Sequence, residues 1–233
     1  MKGIQIVIWQ KVAELWENHQ LPLEGEMGGK NIRILFNQTP SPDGAKGVFL
    51  LLPQEWVWEE PPQNPTNLEE HLLCQLHMEN KDLEGVLSIK RTLEKLAREG
   101  NIDHREANIQ HAFERYTERW LKESGLSYTR PSPGEKSDFD FRVQNGRETV
   151  CLEVKSDRYW YTGNISLELI RDYRSSFIDP LNAGSLVKTQ AHLWQVYYYD
   201  DQQGKFDAKV FRVSKLLEKA SYVLEHLGKQ QCT

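Results

Sequence analysis

The chain has 233 residues and a formal net charge of −5, and at about 150 residues per domain it makes one large domain, or a small one joined to an average one. Hydrophobic residues make up 39% and charged residues 27%, with 7 Trp, 9 Tyr and 8 Phe, which excludes a disordered or low-complexity chain. No apolar run approaches the roughly 18 residues of a membrane helix and residues 1–10 lack a small-residue cleavage site, so the expectation is a cytoplasmic protein with no membrane partner.

In chain order, residues 3–9 (Gly-Ile-Gln-Ile-Val-Ile-Trp) read as a buried strand, and Lys11 to His19 as a short helix. Asn31–Phe36 and Gly47–Leu52 are further strand candidates, separated by a Pro- and Asp-Gly-containing turn over 38–44. The Pro-rich tract 59–65 reads as a linker, after which Thr66 or Asn67 sits where a helix N-cap belongs. Helix is expected from there to about residue 124, with one break at 99–103, where Gly100 ends a helix and Asp103 caps the next. Ile109, Ala112, Phe113, Tyr116, Trp120 and Leu121 then recur at helical spacing as one apolar stripe.

After Gly125 the period changes to 2. Phe139, Phe141 and Val143 alternate with Asp138, Asp140 and Arg142, Asn145-Gly146 is a hairpin signal, and Thr149–Lys155 is a second strand. Gly163–Phe177 reads as loop into helix, 180–190 as irregular or short helix, His192–Tyr199 and Phe206–Val213 as strands, and Ser214–Leu227 as a closing helix. Residues 1–100 carry 10 basic and 15 acidic side chains, whereas 101–233 carry 19 of each. That shift places a division near residue 100, between an N-terminal β and helical region of unknown role (1–100) and an α/β domain (101–233) with a mixed sheet flanked by helices.

The chemistry concentrates in the hairpin. Residues two apart on a strand share a face, so Glu153 and Lys155 point the same way, as do Asp138 and Asp140 on the neighbouring strand. Carboxylates held together repel unless a hard divalent cation lies between them, and Mg2+ takes a few protein carboxylates plus water and phosphate. A lysine beside such a cation can orient a water or stabilise charge on the phosphate, the chemistry of phosphodiester hydrolysis. The same residues also suit a solvated sheet face that needs no metal. Cys74, Cys151 and Cys232 are too few and too widely spaced for a disulfide framework or a four-cysteine site, and no His-x3-His pair has a third ligand. A metal would therefore sit mainly on oxygen.

The order Asp, hairpin, Glu153-Val154-Lys155 resembles the PD-(D/E)xK nuclease superfamily. Asp157, Thr162-Gly163-Asn164, Glu168 and Thr189-Gln190-Ala191-His192-Leu193-Trp194 follow in the order seen in phage-type and Holliday-junction-resolvase-like members. The sequence departs from those members at His192, where they commonly have Asp, and lacks the signature Pro before the first Asp. The resemblance covers about residues 104–213. It implies a restriction-endonuclease-like fold and an endodeoxyribonuclease using Mg2+ or Mn2+, with DNA as partner and a homodimer as the default assembly.

By that resemblance, Asp138 or Asp140, with Glu153, would hold the metal. Asp140, 13 residues before Glu153, gives the tighter hairpin. Lys155 would position the water, and Glu114, with Glu118 as its competitor, or Glu168 would complete the shell. Asn164, Gln190 and Arg158 are candidate DNA contacts, and the aromatic run Tyr159, Trp160, Tyr161 suits either base stacking or a core. Two other readings stand beside this one: a nucleic-acid-binding or assembly protein that keeps the fold without cleaving, and a sequence-specific restriction or homing endonuclease whose residues 1–100 recognise the target.

Overall fold

The structure is a computed structural model in which residues 2–18, 20–36, 47–131, 139–158, 162–171 and 182–230 are described. The protein is α/β: its described residues form six α-helices and two sheets. They fall into two compact units, and the division does not lie at residue 100. One unit is drawn from 1–57, 163–189 and 213–233, the other from 58–162 and 190–212.

In the first unit, α1 (Lys2–Glu17), α5 (Ser185–Lys188) and α6 (Val213–Gln230) accompany a four-stranded antiparallel sheet. Its strands are β1 (Leu23–Met27), β2 (Lys30–Phe36), β3 (Val48–Pro53) and β8 (Asn164–Ile170), in the order β1-β2-β3-β8. Two expectations fail here. Residues 3–9 are helix, because Gln5, Ile8, Val12 and Leu15 recur at three and four residues and bury one face, against α5 and α6. Residues 164–170 are strand rather than the start of a helix. Ile165, Leu167 and Leu169 are buried and alternate with Ser166 and Glu168, the period of a pleated strand.

Close packing of β8 against the turn before α5 makes Gly184 irreplaceable. A Cβ there would lie 2.3 Å from the Glu168 carbonyl oxygen, and the atoms it would meet are backbone, which leaves nothing flexible to move. Gly184→Ala is expected to destabilise this unit by about 2–4 kcal/mol, read as a lowered urea midpoint.

The second unit contains α2 (Leu68–Leu76), α3 (Glu84–Arg98) and α4 (Ile109–Glu123) with a six-stranded mixed sheet, β4-β10-β9-β7-β6-β5. Its strands are β4 (Met78–Asp82), β5 (Ser127–Thr129), β6 (Phe141–Asn145), β7 (Glu148–Asp157), β9 (Leu193–Asp200) and β10 (Lys205–Arg212). Among the described residues only the central pair β7 and β9 runs parallel; the other pairings are antiparallel. The expected hairpin is present: β6 and β7 pair across the Asn145-Gly146 turn, with Gly146 at φ 59°, a conformation glycine adopts at little cost.

The expected long helical stretch is interrupted at 77–83, where β4 pairs with β10 and the Asn80 N–H donates to Asp207 Oδ1 at 2.6 Å. Asn67 caps α2 through the Glu70 N–H. Asp103 caps only a short 3-10 turn, and Asn108 caps α4 through the His111 N–H. The apolar stripe on α4 enters the core as expected. Phe113 is fully buried, stacks on Tyr197 at 4.4 Å between centroids and meets Phe206 edge-on. On the same helix the buried Thr117 hydroxyl bonds to Gln195 and Tyr197. These contacts set α4 over β7 and β9 and so fix where its polar face meets the hairpin.

Candidate active site

The register of the hairpin decides what meets. Phe141 pairs with Leu152 at the last step of the ladder, and just beyond it Asp140 bonds to the Leu152 and Val154 peptides that flank Glu153. The Asp140 N–H donates to the Leu152 carbonyl at 2.9 Å, and its Oδ2 accepts from the Val154 N–H at 2.7 Å. Glu153 is only 8% exposed and is ion-paired with Lys155. Leu152 and Val154 point into the hydrophobic core, so alternation sends Glu153 and Lys155 to the opposite face. The Lys155 ammonium also lies 5.5 Å from the centroid of the Trp194 ring on β9, a cation–π distance.

The polar face of α4 reaches β7 from the core side of the sheet. Gln110 Nε2 donates to the Val154 carbonyl at 2.7 Å and to Glu114 Oε1 at 3.2 Å. Glu114 Oε2 accepts from Arg130 at 3.1 Å, and Arg130 lies 3.8 Å from Glu118, which Arg115 also pairs. The Arg130 guanidinium stacks over the Phe141 ring at 4.8 Å. A chain of contacts therefore runs from Arg130 through Glu114 and Gln110 to the Val154 peptide, whose N–H holds Asp140.

Charge in this group is concentrated. The Asp140 carboxyl is pushed up to about 7, chiefly by burial and then by the negative charge of Glu114. The Val154 N–H opposes the rise, Glu153 adds to it, and the Lys155 ammonium partly offsets it. A carboxyl in this state is one whose ionised form gains from a nearby cation. Asp140 and Glu153, two hard oxygen donors close enough for their charges to interact, suit a cation such as Mg2+, which takes one or two protein carboxylates and keeps several waters. Among the described residues no three His, Cys, Asp or Glu side chains are gathered as a metal site; Glu114, the third carboxylate, is held by Arg130 and Gln110 instead.

The other candidates are placed differently. Glu168 and Asn164 belong to β8 in the other compact unit, so the structure does not gather them with Asp140 and Glu153 in one unit. Glu168 Oε2 accepts from the Ser185 N–H at 2.9 Å and lies 3.6 Å from Arg171. The Asn164 carbonyl accepts from Gln54 Nε2 at 3.1 Å. Gln190 is exposed in the segment leading to β9, and Arg158, exposed just past the end of β7, pairs with Asp201 at 2.8 Å. Asp138 and the aromatic run 159–161 lie outside the described residues.

His192 serves the sheet rather than the site. Its Nδ1 accepts from the Cys151 N–H at 2.9 Å, and its backbone N–H donates to the Cys151 carbonyl at 2.7 Å. Burial pushes the Cys151 thiol up despite a hydrogen bond from Arg142, which disfavours a thiolate nucleophile.

Sequence reasoning passed over Gln110 and gave Arg130 no role at the site. Gln110 had a local signal, since it stands four residues before Glu114 on one helix face. Arg130 had none: it is 16 residues from Glu114 and reaches it only through the fold. Among the described residues no helix is long and apolar enough to cross a membrane. No family model, curated protein or solved structure matches the chain.

Proposed function

We propose that the protein is a metal-dependent endodeoxyribonuclease whose second unit has the restriction-endonuclease-like fold implied by the PD-(D/E)xK resemblance. The observation that carries this reading is the Asp140 carboxyl held by the Val154 N–H beside Glu153, whose side chain pairs with Lys155 two residues further along the same strand face. Asp140 and Glu153 would hold Mg2+ or Mn2+, which when bound polarises a phosphate oxygen and lowers the pKa of a water. The Val154 N–H orients the Asp140 carboxylate, and Lys155 offers an ammonium whose three donors suit a phosphate oxygen or the attacking water. DNA is the proposed partner, and a symmetric homodimer follows from the need to reach both strands.

The test is incubation of the protein with labelled duplex, single-stranded and four-way-junction DNA in Mg2+ or EDTA, beside Glu153→Ala. Products that need metal and vanish in the variant are the expected result.

A second reading draws on the partners these side chains already have: Glu114 is bound by Arg130, Glu153 by Lys155 and Asp140 by Val154. A site whose carboxylates already have partners suits a nucleic-acid-binding or assembly protein that does not cleave. Salt-sensitive DNA binding without a metal requirement and without products would select it.

A further inference from the structure

Three carboxylates lie near the Val154 peptide: Glu153 beside it in the chain, Asp140 bonded to its N–H, and Glu114 reached through Gln110. Glu114 is close enough for its charge to act on Asp140, but each of its oxygens is bonded elsewhere: Oε1 to Gln110 and Oε2 to Arg130. Its side chain is 12% exposed and that of Arg130 28%, so water screens the pair only partly. Arg130 is itself held in place by Phe141, the residue after Asp140, and by Glu118. A fixed guanidinium thus occupies one oxygen of a carboxylate whose charge acts on Asp140.

We propose that Arg130 is a positioning residue that acts as a built-in counter-cation, holding Glu114 away from the divalent ion and thereby setting the affinity of the Asp140–Glu153 site for that ion. This rests on the metal-dependent reading above. With the guanidinium present, the Glu114 charge that acts on Asp140 is partly compensated and one of its oxygens is occupied. Without it, Glu114 adds a full negative charge, and an oxygen no longer tied to Arg130, beside Asp140. Gln110, anchored on the Val154 carbonyl, keeps that carboxylate close. The arrangement makes the resident arginine and the incoming cation competitors for one carboxylate.

The experiment measures cation binding rather than cleavage. Thermal melting of the full chain is followed across a Mg2+ titration, and in parallel with Mn2+, for wild type, Arg130→Gln, Arg130→Lys, Glu114→Gln and Arg130→Gln/Glu114→Gln, with far-UV circular dichroism as the check on folding. Arg130→Gln is expected to lower the midpoint concentration about tenfold or more, since it removes the compensating charge from a carboxylate that acts on Asp140 in a partly water-excluded site. Arg130→Lys, which keeps the charge, should stay near wild type. In the Glu114→Gln background the Arg130→Gln substitution should have no further effect.

A folded Arg130→Gln protein with an unchanged or higher midpoint overturns the proposal while leaving the metal site standing. So does a tenfold gain that persists in the Glu114→Gln background. Melting that responds to neither cation in any variant overturns the metal-dependent reading itself, and the role of Arg130 with it.

Discussion

Lys155→Ala is expected to lower Mg2+-dependent DNA cleavage by about a hundredfold to ten-thousandfold, the range for removing a positioned proton-transfer or charge-stabilising group. It should also cost the fold about 1–3 kcal/mol, because the buried Glu153 loses a charged partner. That cost is a consequence of the structure. A solvated strand face would have made both residues nearly neutral for stability, but Glu153 is 8% exposed and ion-paired. Single-turnover cleavage and urea melts in EDTA separate the two effects. Lys155→Ala/Glu153→Gln should recover most of the stability, since no uncompensated charge remains, and none of the activity. Cleavage at the wild-type rate in Lys155→Ala would remove this residue from the site.

The second large effect concerns Asp140 and has the opposite sign for stability. Its folded-state carboxyl titrates at about 7, far above its usual value of 3.8. Between those values the folded protein therefore binds more protons than the unfolded chain. Stability falls as pH rises through this window, and the full cost is present above pH 7. At about 1.4 kcal/mol per pKa unit, ionised Asp140 costs the metal-free fold about 2–4 kcal/mol at pH 8.

Asp140→Asn keeps an oxygen to accept from the Val154 N–H and removes the charge. In EDTA it is expected to be more stable than wild type at pH 8 by that amount, with the difference vanishing toward pH 4. It should be inactive in cleavage at either pH. Mg2+ should stabilise the wild-type protein more at pH 8 than at pH 5, since a cation bound at Asp140 displaces its proton, and should leave the melting of Asp140→Asn nearly unchanged. Equal stabilities of wild type and variant across pH 4–8 would show that Asp140 is not under electrostatic stress. A gain at every pH would point to packing instead. The protein on this view carries a destabilising charge at the position where its proposed chemistry needs one.

The parts of the protein legible in its amino-acid order are those whose signals are local. Alternation at Phe141 and Val143 with an Asn-Gly turn specified the β6–β7 hairpin. The stripe from Ile109 to Leu121 specified α4 and its buried face. The strands expected over 31–36, 47–52, 192–199 and 206–213, each found within about a residue at either end, and the last helix were legible for the same reason: side-chain period and burial agree within a single element.

Long-range packing settled the rest. A β-branched run at 4–8 prefers strand locally, yet burial of Gln5, Ile8, Val12 and Leu15 along one face makes it helix. The polar residues of β4 have no core pattern and become a strand only because β10 offers a ladder. Glu168 follows the motif closely in sequence but belongs to a strand of the other unit, since compact units assembled from separate chain segments leave no boundary in composition. The contact of Arg130 with Glu114 ties the end of β5 to α4 by a route that neither periodicity nor spacing encodes. A motif names the acids and the lysine of a site, whereas which of their charges is already compensated depends on which side chains the fold brings within 3.1–3.8 Å.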